Sequence, residues 1–238
     1  FNTCRIADMR ISELASECFV SPATISRFCK DLNCKNFASF KHEMAISLEI
    51  ARDEIHVDPH DYTEIIKQPQ YLVDKMYQET IASLQLVHQS INIHSIDQIC
   101  HMIYNAKKVH MIGYQFNKII SNDFQMKMLK LKKFVYAFVE RGDEIQRLDM
   151  IDEDSLVIII TVRARKQFMA PLLEKIHEHN PQILLITMNK EFQNDLIDFT
   201  YCIDGTESDY TESSMQGTIN FLSLLNLIYV RYGLLYRK

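Results

Sequence analysis

The sequence predicts an α/β protein in which a small all-α helix-turn-helix unit precedes a three-layer α/β/α domain built on a five-stranded parallel sheet. Two observations lead to this fold class. Residues 1–50 carry closely spaced helical patterns and no strand pattern. From residue 71 onward, apolar runs of strand length alternate with helical segments, which is typical of a parallel sheet with helices on both faces.

The N-terminal unit contains two helices separated by a short joint. In ISELASEC, apolar residues repeat at helical spacing, namely Ile11, Leu14, Ala15 and Cys18. After Phe19-Val20, Ser21-Pro22 predicts a second helix, because serine caps free backbone N–H groups and proline suits the first helical position. Asn33 tolerates the left-handed conformation that commonly ends a helix.

The second helix is amphipathic, and its polar face suits DNA. The apolar stripe consists of Ile25, Phe28, Cys29 and Leu32. The residues expected to contact DNA are small, hydroxylated or basic: Ser21, Ala23, Thr24, Ser26, Arg27, Lys30, Lys35 and Lys41. Arginine can bridge a guanine edge, alanine and threonine methyl groups can contact thymine, and lysine can reach phosphate. The alternative is an ordinary helical hairpin with a solvated charged face.

Because the overall charge of the chain is negative, its affinity for DNA has to come from the local group of basic residues on and after the second helix. The chain has 238 residues and a formal net charge of −5, so no global field attracts nucleic acid. Between Ser21 and His42, however, basic residues outnumber the one acidic residue, Asp31. We therefore predict double-stranded DNA as a partner of the N-terminal unit.

Three regions follow from the composition along the chain. Residues 1–50 form the helix-turn-helix domain, and residues 51–70, which are polar and contain Pro59 and Pro69, form a linker. Residues 71–238 form the α/β domain. Because little sequence precedes ISELASEC, we expect the helix-turn-helix domain to be partial, with its first helix missing and the chain truncated at its N-terminus.

The α/β domain is predicted from nearly continuous apolar runs, which suit strands buried on both faces. These runs are VHMIG (109–113), FVYAFV (134–139), SLVIIIT (155–161), QILLIT (182–187) and FTYCI (199–203). Helices are predicted before, between and after them, over residues 71–90, 95–105, 117–131, 142–150, 167–179, 190–197 and 212–235.

Two loops at the carboxyl ends of the strands are candidate ligand sites, because ligands of such sheets bind there, near helix N-termini. The candidate ligand-binding residues of the two loops are Gly113, Gln115, Asn117, Thr161, Arg163, Arg165 and Lys166. The chain has only 5 glycines and neither GxGxxG nor GxxxxGK[ST], so a dinucleotide or P-loop site is excluded. Basic side chains could hold an anion by charge instead. The alternative is a basic surface loop.

Several function classes find no support in the sequence. No nucleophile elbow occurs, and Ser213-Ser214 has no evident base partner, so we expect no catalytic residues and no enzyme. His56 and His60 flank a proline in the linker, and we expect neither a metal nor a cofactor. The six cysteines form no CxxC pair and are typical of reduced thiols in a cytoplasmic protein.

The apolar tract INFLSLLNLIYV, residues 219–230, predicts a core or interface helix. It is shorter than the ~20 residues that a membrane span requires, and two asparagines interrupt it. No signal peptide is visible either, so we expect no membrane partner. The apolar surface of this helix exceeds what one sheet face covers, and we expect a homodimer or a dimer of dimers.

The whole chain resembles the RpiR family of bacterial transcription regulators, which join an N-terminal helix-turn-helix to a C-terminal SIS (sugar isomerase) domain. The segment ISELASECFVSPATISRFCKDLNCKNFASFK is similar to the family pattern I..LA....VS.ATI.RF..KLG...F..FK. It departs from that pattern at Asn33-Cys34, where the family usually has Gly-Phe. AKKVHMIG, KFVYAFV, DEDSLVIIIT and QILLITMN match the SIS half in their order.

The resemblance implies a DNA-binding regulator of sugar metabolism genes whose SIS domain dimerises and senses a phosphorylated sugar. The phosphate loops depart from the family, which typically has G-x-G-x-S and S-x-S-G-x-T. Here the first loop keeps only Gly113 and the second keeps only the hydroxyl of Thr161. Two alternatives therefore stay open: a sugar-phosphate isomerase-like enzyme, and a regulator whose SIS domain is only a dimerisation module.

Overall fold

A computed structural model describes residues 9–32, 34–41, 44, 67–113, 117–137, 148–205 and 214–237. The chain divides into two compact units, Phe1–His56 and Val57–Lys238. The prediction for Asn33 and most of the predicted linker lie outside the described residues, and the predicted domain boundaries stay a prediction.

The N-terminal unit contains the two predicted helices, α1 (Ile11–Glu17) and α2 (Pro22–Asp31). The cap predicted for α2 is present, because the backbone N–H of Thr24 donates to Ser21 Oγ at 3.1 Å. Phe19, in the joint, has a φ of 54°, which lets the chain reverse direction between the helices. A small core joins the two helices and the segment after them: Met9, Leu14, Ala15, Ile25, Cys29 and Cys34.

The apolar stripe of α2 is only half buried. Ile25 and Cys29 lie in the core, whereas Phe28 and Leu32 are 49% and 50% exposed. The predicted apolar stripe thus enters the core through two of its four residues. The reason is that the core lies along the Ile25–Cys29 line, and Phe28 instead meets the ring of Phe40 edge-on, with the ring centroids 5.8 Å apart.

The α/β unit follows the predicted alternation. Two helices precede the sheet, α3 (Pro69–Ser90) and α4 (Ile93–Asn105). The remaining elements are, in chain order, β1 (Lys108–Gly113), α5 (Asn117–Lys130), β2 (Val135–Ala137), β3 (Ser155–Thr161), α6 (Lys166–His177), β4 (Gln182–Thr187), β5 (Phe199–Cys202) and α7 (Ser214–Tyr236). The five strands are parallel, in the order β2-β1-β3-β4-β5.

Helices cover both faces of the sheet, so the predicted three-layer architecture is confirmed. Along β3, Leu156, Ile158 and Ile160 pack into one core cluster with residues of α4, α5 and α7. Val157 and Ile159 point the other way and pack with residues of α6. Burial on both faces explains why the strands are continuous apolar runs rather than alternating ones.

Three sequence predictions need correction. The helix predicted over residues 190–197 is absent, and turns occupy that segment. The side chains of Asn189 and Asn194 accept from the backbone N–H groups of Glu191 and Leu196, so these turns satisfy the backbone without a helix. Of the predicted helix 142–150, the described part is a 3₁₀ turn, Leu148–Met150. Helix α3 begins at Pro69, two residues inside the predicted linker.

Helix α7 is the helix in the described part of the chain that is long and apolar enough to cross a membrane, by length and composition alone. One side of it nevertheless packs into the core on one sheet face through residues that include Phe221, Leu224 and Ile228, whereas Val230 and Leu234 are exposed. Arg231 also ties it to α4, donating to both carboxylate oxygens of Asp97 at 2.6 and 2.8 Å. These contacts are typical of the core helix that the sequence predicts.

Candidate functional site

The polar face of α2 lies opposite the core of the N-terminal unit, as the DNA-binding prediction requires. Ser21, Ala23, Arg27, Lys30 and Lys35 are exposed, and Thr24 and Ser26 are partly buried. The hydroxyls of Ser21 and Thr24 lie 2.9 Å apart, so part of the polar character of this face also caps the helix. The face therefore combines small residues near the helix N-terminus with cations along one side.

Lys41 occupies a different environment from the other basic candidates. Its ammonium donates to the backbone carbonyl of Met9 at 3.2 Å and lies 5.7 Å from the centre of the Phe37 ring. These contacts join the start of the N-terminal unit to the segment after α2. The contact of Lys41 with phosphate stays a prediction, and the structure gives this side chain a role in holding the unit together.

The first candidate loop lies between Gly113, the last residue of β1, and Asn117, the first residue of α5. A Cβ atom on Gly113 would lie 2.6 Å from both the carbonyl oxygen of Asn117 and Ser121 Oγ, so only glycine fits there. Asn117 is buried at the N-terminus of α5, and its side-chain oxygen has no hydrogen-bond partner within the described residues. Gln115 lies outside the described residues.

The second candidate loop is held by its own backbone and by Thr161. The N–H of Ala164 donates to Thr161 Oγ1 at 3.4 Å, and Ala164 is buried with a φ of 42°. Arg165 precedes α6, and Lys166 is the first residue of that helix. The loop therefore places basic side chains beside a helix N-terminus, where the backbone N–H groups already favour anions.

The loop after β4 completes this region. The side-chain amide of Asn189 donates to the carbonyl of Arg163 at 2.7 Å, and the N–H of Met188 donates to the carbonyl of Val162 at 3.2 Å. Between the two loops lies an open cavity of about 330 Å³, lined by Arg163, Met188, Asn189, Lys190 and Glu191. The cavity thus contains Arg163 but none of the other candidates that the structure describes.

Sequence reasoning missed Asn189, Lys190 and Glu191. The helix predicted over 190–197 placed Lys190 and Glu191 in a helix rather than in a loop beside the one after β3, whereas Asn189 lies just before that segment. The available signal was the position of Asn189 directly after the apolar run of β4, at the carboxyl edge of the sheet. Lys190 forms an ion pair with Asp204, so the charges near the cavity are mixed rather than purely basic.

The side chains around the cavity offer binding groups rather than reactive ones. Cys202, next to Lys190 and Asp204, is a neutral thiol, since burial raises its pKa above the ordinary value. Within the described residues, no group of three or more histidine, cysteine or acidic side chains could hold a metal. The polar groups of the lining are an arginine, a lysine, an amide and the carboxylate of Glu191, a mixed set that suits a ligand carrying both an anionic group and hydroxyls.

Comparisons with known proteins concern the fold and the family of the chain. The family model described as "SIS domain" matches residues 102–228. A transcriptional regulator of the HTH type from Clostridium perfringens is 20% identical over 92% of this chain and 78% of its own length. HexR, an HTH-type transcriptional regulator of Escherichia coli, is 22% identical over 74% of this chain, which spans only 60% of HexR.

Among solved structures, the Vibrio vulnificus NanR protein complexed with ManNAc-6P is similar over 99% of this chain and 83% of the NanR chain. The TM-score is 0.60 and the sequence identity is 15%. At that identity the likeness establishes the shared fold.

Proposed function

The chain belongs to the SIS domain family, and we propose that it is a DNA-binding transcriptional regulator, and not an enzyme, whose SIS domain senses a phosphorylated sugar. The architecture implied by the RpiR resemblance, a helix-turn-helix followed by a SIS domain, is confirmed. The observation that carries the DNA-binding function is the exposed polar face of α2, behind a Ser21 cap and opposite buried Ile25 and Cys29.

The relatives support regulation of transcription. Both curated relatives described above are HTH-type transcriptional regulators, and this chain spans 78% and 60% of their lengths. The similarity between this chain and the Clostridium perfringens regulator extends beyond the SIS domain, because it covers 92% of this chain. Double-stranded DNA is therefore the macromolecular partner that we propose for α2, with Arg27 as the residue that reads a base edge.

The proposed effector is a phosphorylated sugar, since NanR was crystallised with ManNAc-6P and shares this fold. In this chain the family's serine-rich phosphate loops are replaced. We therefore place the phosphate near Arg163, Arg165 and Lys166, at the N-terminus of α6. The neighbouring side chains of Asn189 and Glu191 would meet the sugar hydroxyls. Because flexible cations bind less selectively than a preorganised loop, the affinity should be modest and sensitive to salt.

The proposed assembly is a homodimer or a dimer of dimers in the cytoplasm, held through the α/β unit. Large apolar side chains remain exposed on this unit, for example Tyr77 on α3 and both Ile119 and Met126 on α5. Such surface is expected at an interface between copies of the chain. Sedimentation at micromolar concentration tests this assembly, which a monomeric species would contradict.

The experiment that tests the proposed function measures both ligands on the same protein. Duplex DNA is first selected from a random library, and the affinity for the enriched sequence is then measured with and without a panel of hexose phosphates. The proposal expects an enriched sequence and a change of affinity with at least one phosphosugar. An enriched sequence whose affinity no phosphosugar alters would favour the second candidate, a regulator whose SIS domain only dimerises.

That second candidate has a specific observation behind it. The loop after β3 has lost the small hydroxyl and glycine residues that would form a phosphate nest, and it retains Thr161, whose hydroxyl accepts from Ala164. The same loss argues against an isomerase-like enzyme, because a substrate phosphate needs firm orientation for catalysis. Thermal shift with each phosphosugar at low salt separates sensing from dimerisation alone.

A further inference from the structure

The turn that ends α2 brings two residues close together, and both of them are cysteines, Cys29 and Cys34. The backbone N–H of Cys34 donates to the carbonyl oxygen of Cys29 at 2.9 Å. Leu32 is the C-terminal cap of α2, so this hydrogen bond runs from the second residue after the cap to the third residue before it. A hydrogen bond between these two positions defines a Schellman turn. Side chains at these two positions commonly touch in such turns.

The surroundings of the two thiols agree with close approach. Cys29 is 0% and Cys34 is 8% exposed, and both belong to the same small core cluster as Leu14 and Ala15. Burial raises the pKa of the Cys29 thiol, and the neighbouring Cys34 raises it further. Both thiols are free in the structure.

The backbone also permits a covalent bond between them. Standard bond lengths together with the 2.9 Å hydrogen bond keep the two Cα atoms within about 7 Å of each other. Two cysteines farther apart than roughly 7 Å cannot be bridged without backbone movement. The turn therefore holds the pair inside the range that a disulfide needs.

We propose that Cys29 and Cys34 form an oxidisable dithiol that closes to an intramolecular disulfide and thereby switches the DNA-binding helix. The oxidant is a hydroperoxide such as hydrogen peroxide. The partly accessible Cys34 thiol is oxidised to a sulfenic acid, with release of one water. The Cys29 thiol then attacks that sulfur, forming the S–S bond and releasing a second water. A dithiol reductant restores both thiols.

The bond would act on the neighbouring basic residues. The two sulfur atoms must approach to about 2 Å to bond, and the resulting covalent link would lock the turn that ends α2. Lys30 and Lys35 each follow one of the cysteines in sequence and are exposed on the proposed DNA face. This consequence rests on the proposed DNA-binding function, whereas formation of the disulfide does not.

Peptide mapping of the whole protein tests the covalent step. Reduced protein is treated with hydrogen peroxide, its remaining thiols are alkylated, and it is digested with trypsin. Cleavage after Arg27, Lys30 and Lys35 places the cysteines on separate peptides, FCK and DLNCK. We expect the two peptides to be recovered joined by a disulfide and released by dithiothreitol. Alkylation of both cysteines to the level of untreated protein would overturn the proposal.

Matched variants distinguish this pair from general oxidation. Cys34→Ala and, independently, Cys29→Ala should abolish the linked peptide. Cys18→Ala, which removes an exposed cysteine of the same unit, should leave it unchanged. If the principal product were instead a disulfide through Cys18, or Cys34 oxidised beyond the sulfenic acid, the assignment of the pair would be wrong.

Anisotropy with labelled duplex DNA tests the consequence. Oxidation should reduce the DNA affinity of the unsubstituted protein and leave that of Cys34→Ala unchanged. A mapped disulfide with unaltered DNA affinity would overturn the switch. If the reduced protein bound no DNA at all, the proposed function would fail while the peptide map still decided whether the disulfide forms.

Discussion

The side-chain amide of Asn189 donates to the backbone carbonyl of Arg163 at 2.7 Å and so joins the loop after β4 to the loop after β3. Asn189 also caps its own turn, accepting from the N–H of Glu191 at 3.0 Å. The N–H of Met188, which donates to the carbonyl of Val162 at 3.2 Å, is a second link between the same loops. Asn189 is the cavity-lining residue whose side chain joins them.

Replacing Asn189 with alanine should loosen the cavity. The carbonyl of Arg163 would lose its donor, and the free energy of unfolding should fall by about 1 kcal/mol. Binding of a hexose phosphate should weaken by more than that loss of stability explains, because the side-chain link between the two cavity-lining loops would be lost. Calorimetric titration and urea unfolding measure the two effects. Asn194→Ala is the control, since Asn194 caps a nearby turn outside the cavity lining. Equal effects of the two substitutions on ligand binding would contradict the prediction.

The basic loop should carry most of the attraction for an anion. Substituting both Arg163 and Arg165 with alanine should remove measurable binding of hexose phosphates at low salt. Lys175→Ala is the control for loss of a cation elsewhere in the unit, because Lys175 is exposed on the last turn of α6, away from the loop. Binding that survives the double substitution would reject the basic-loop site and leave the phosphate to other residues.

Two glycines should respond to alanine in opposite directions. Gly113→Ala would place a Cβ 2.6 Å from backbone and side-chain oxygens of α5, so the helix has to move and the free energy of unfolding should fall by about 1–3 kcal/mol. Gly233→Ala, in α7, meets only Leu131 at 3.5 Å and should stabilise the protein by up to about 1 kcal/mol. Urea unfolding of both variants tests this contrast, which a tolerated Gly113→Ala would refute.

His110 should make the α/β unit less stable in acid. Burial in the sheet, with a smaller contribution from nearby Lys108, lowers the pKa of its ring to about 4, although Asp152 opposes the shift. The unfolded chain, with an ordinary histidine pKa near 6.5, binds the proton first as pH falls. Stability should therefore decline between about pH 6.5 and pH 4, by on the order of 2 kcal/mol from this residue. His110→Phe preserves the ring stacked on Tyr136 and should flatten this part of the pH profile. An unchanged profile would show that His110 does not cause it.

The sequence predicts the strands well because their apolar runs are continuous. Residues 155–161 and 182–187 are strands with the predicted bounds. Both faces of these strands are buried, so each strand is a continuous apolar run in the sequence. The cap of α2 is equally local, because Ser21 and Thr24 lie within one turn. Features that depend on neighbours a few residues apart are therefore readable from the sequence.

The missed features depend on contacts that a sequence pattern does not contain. The turns over 190–197 have a helical pattern, but Asn189 and Asn194 satisfy the backbone locally. The cavity residues Asn189 and Lys190 become candidates only when the loops after β3 and β4 are seen side by side. The exposure of Leu32 likewise reflects where the small core of the N-terminal unit ends, which helical spacing alone does not define.

The central claim, that α2 reads DNA, is tested most directly by Arg27→Ala in the full-length protein. The measurement is anisotropy against the selected duplex and against duplexes with single base-pair changes, at fixed salt. Loss of a bidentate arginine–guanine contact should cost about 1–3 kcal/mol of binding free energy and relax the preference at one position. The control Lys175→Ala removes the same charge from α6 and should leave DNA affinity unchanged. An Arg27→Ala protein that binds the selected duplex as tightly and as selectively as the unsubstituted protein would contradict the account.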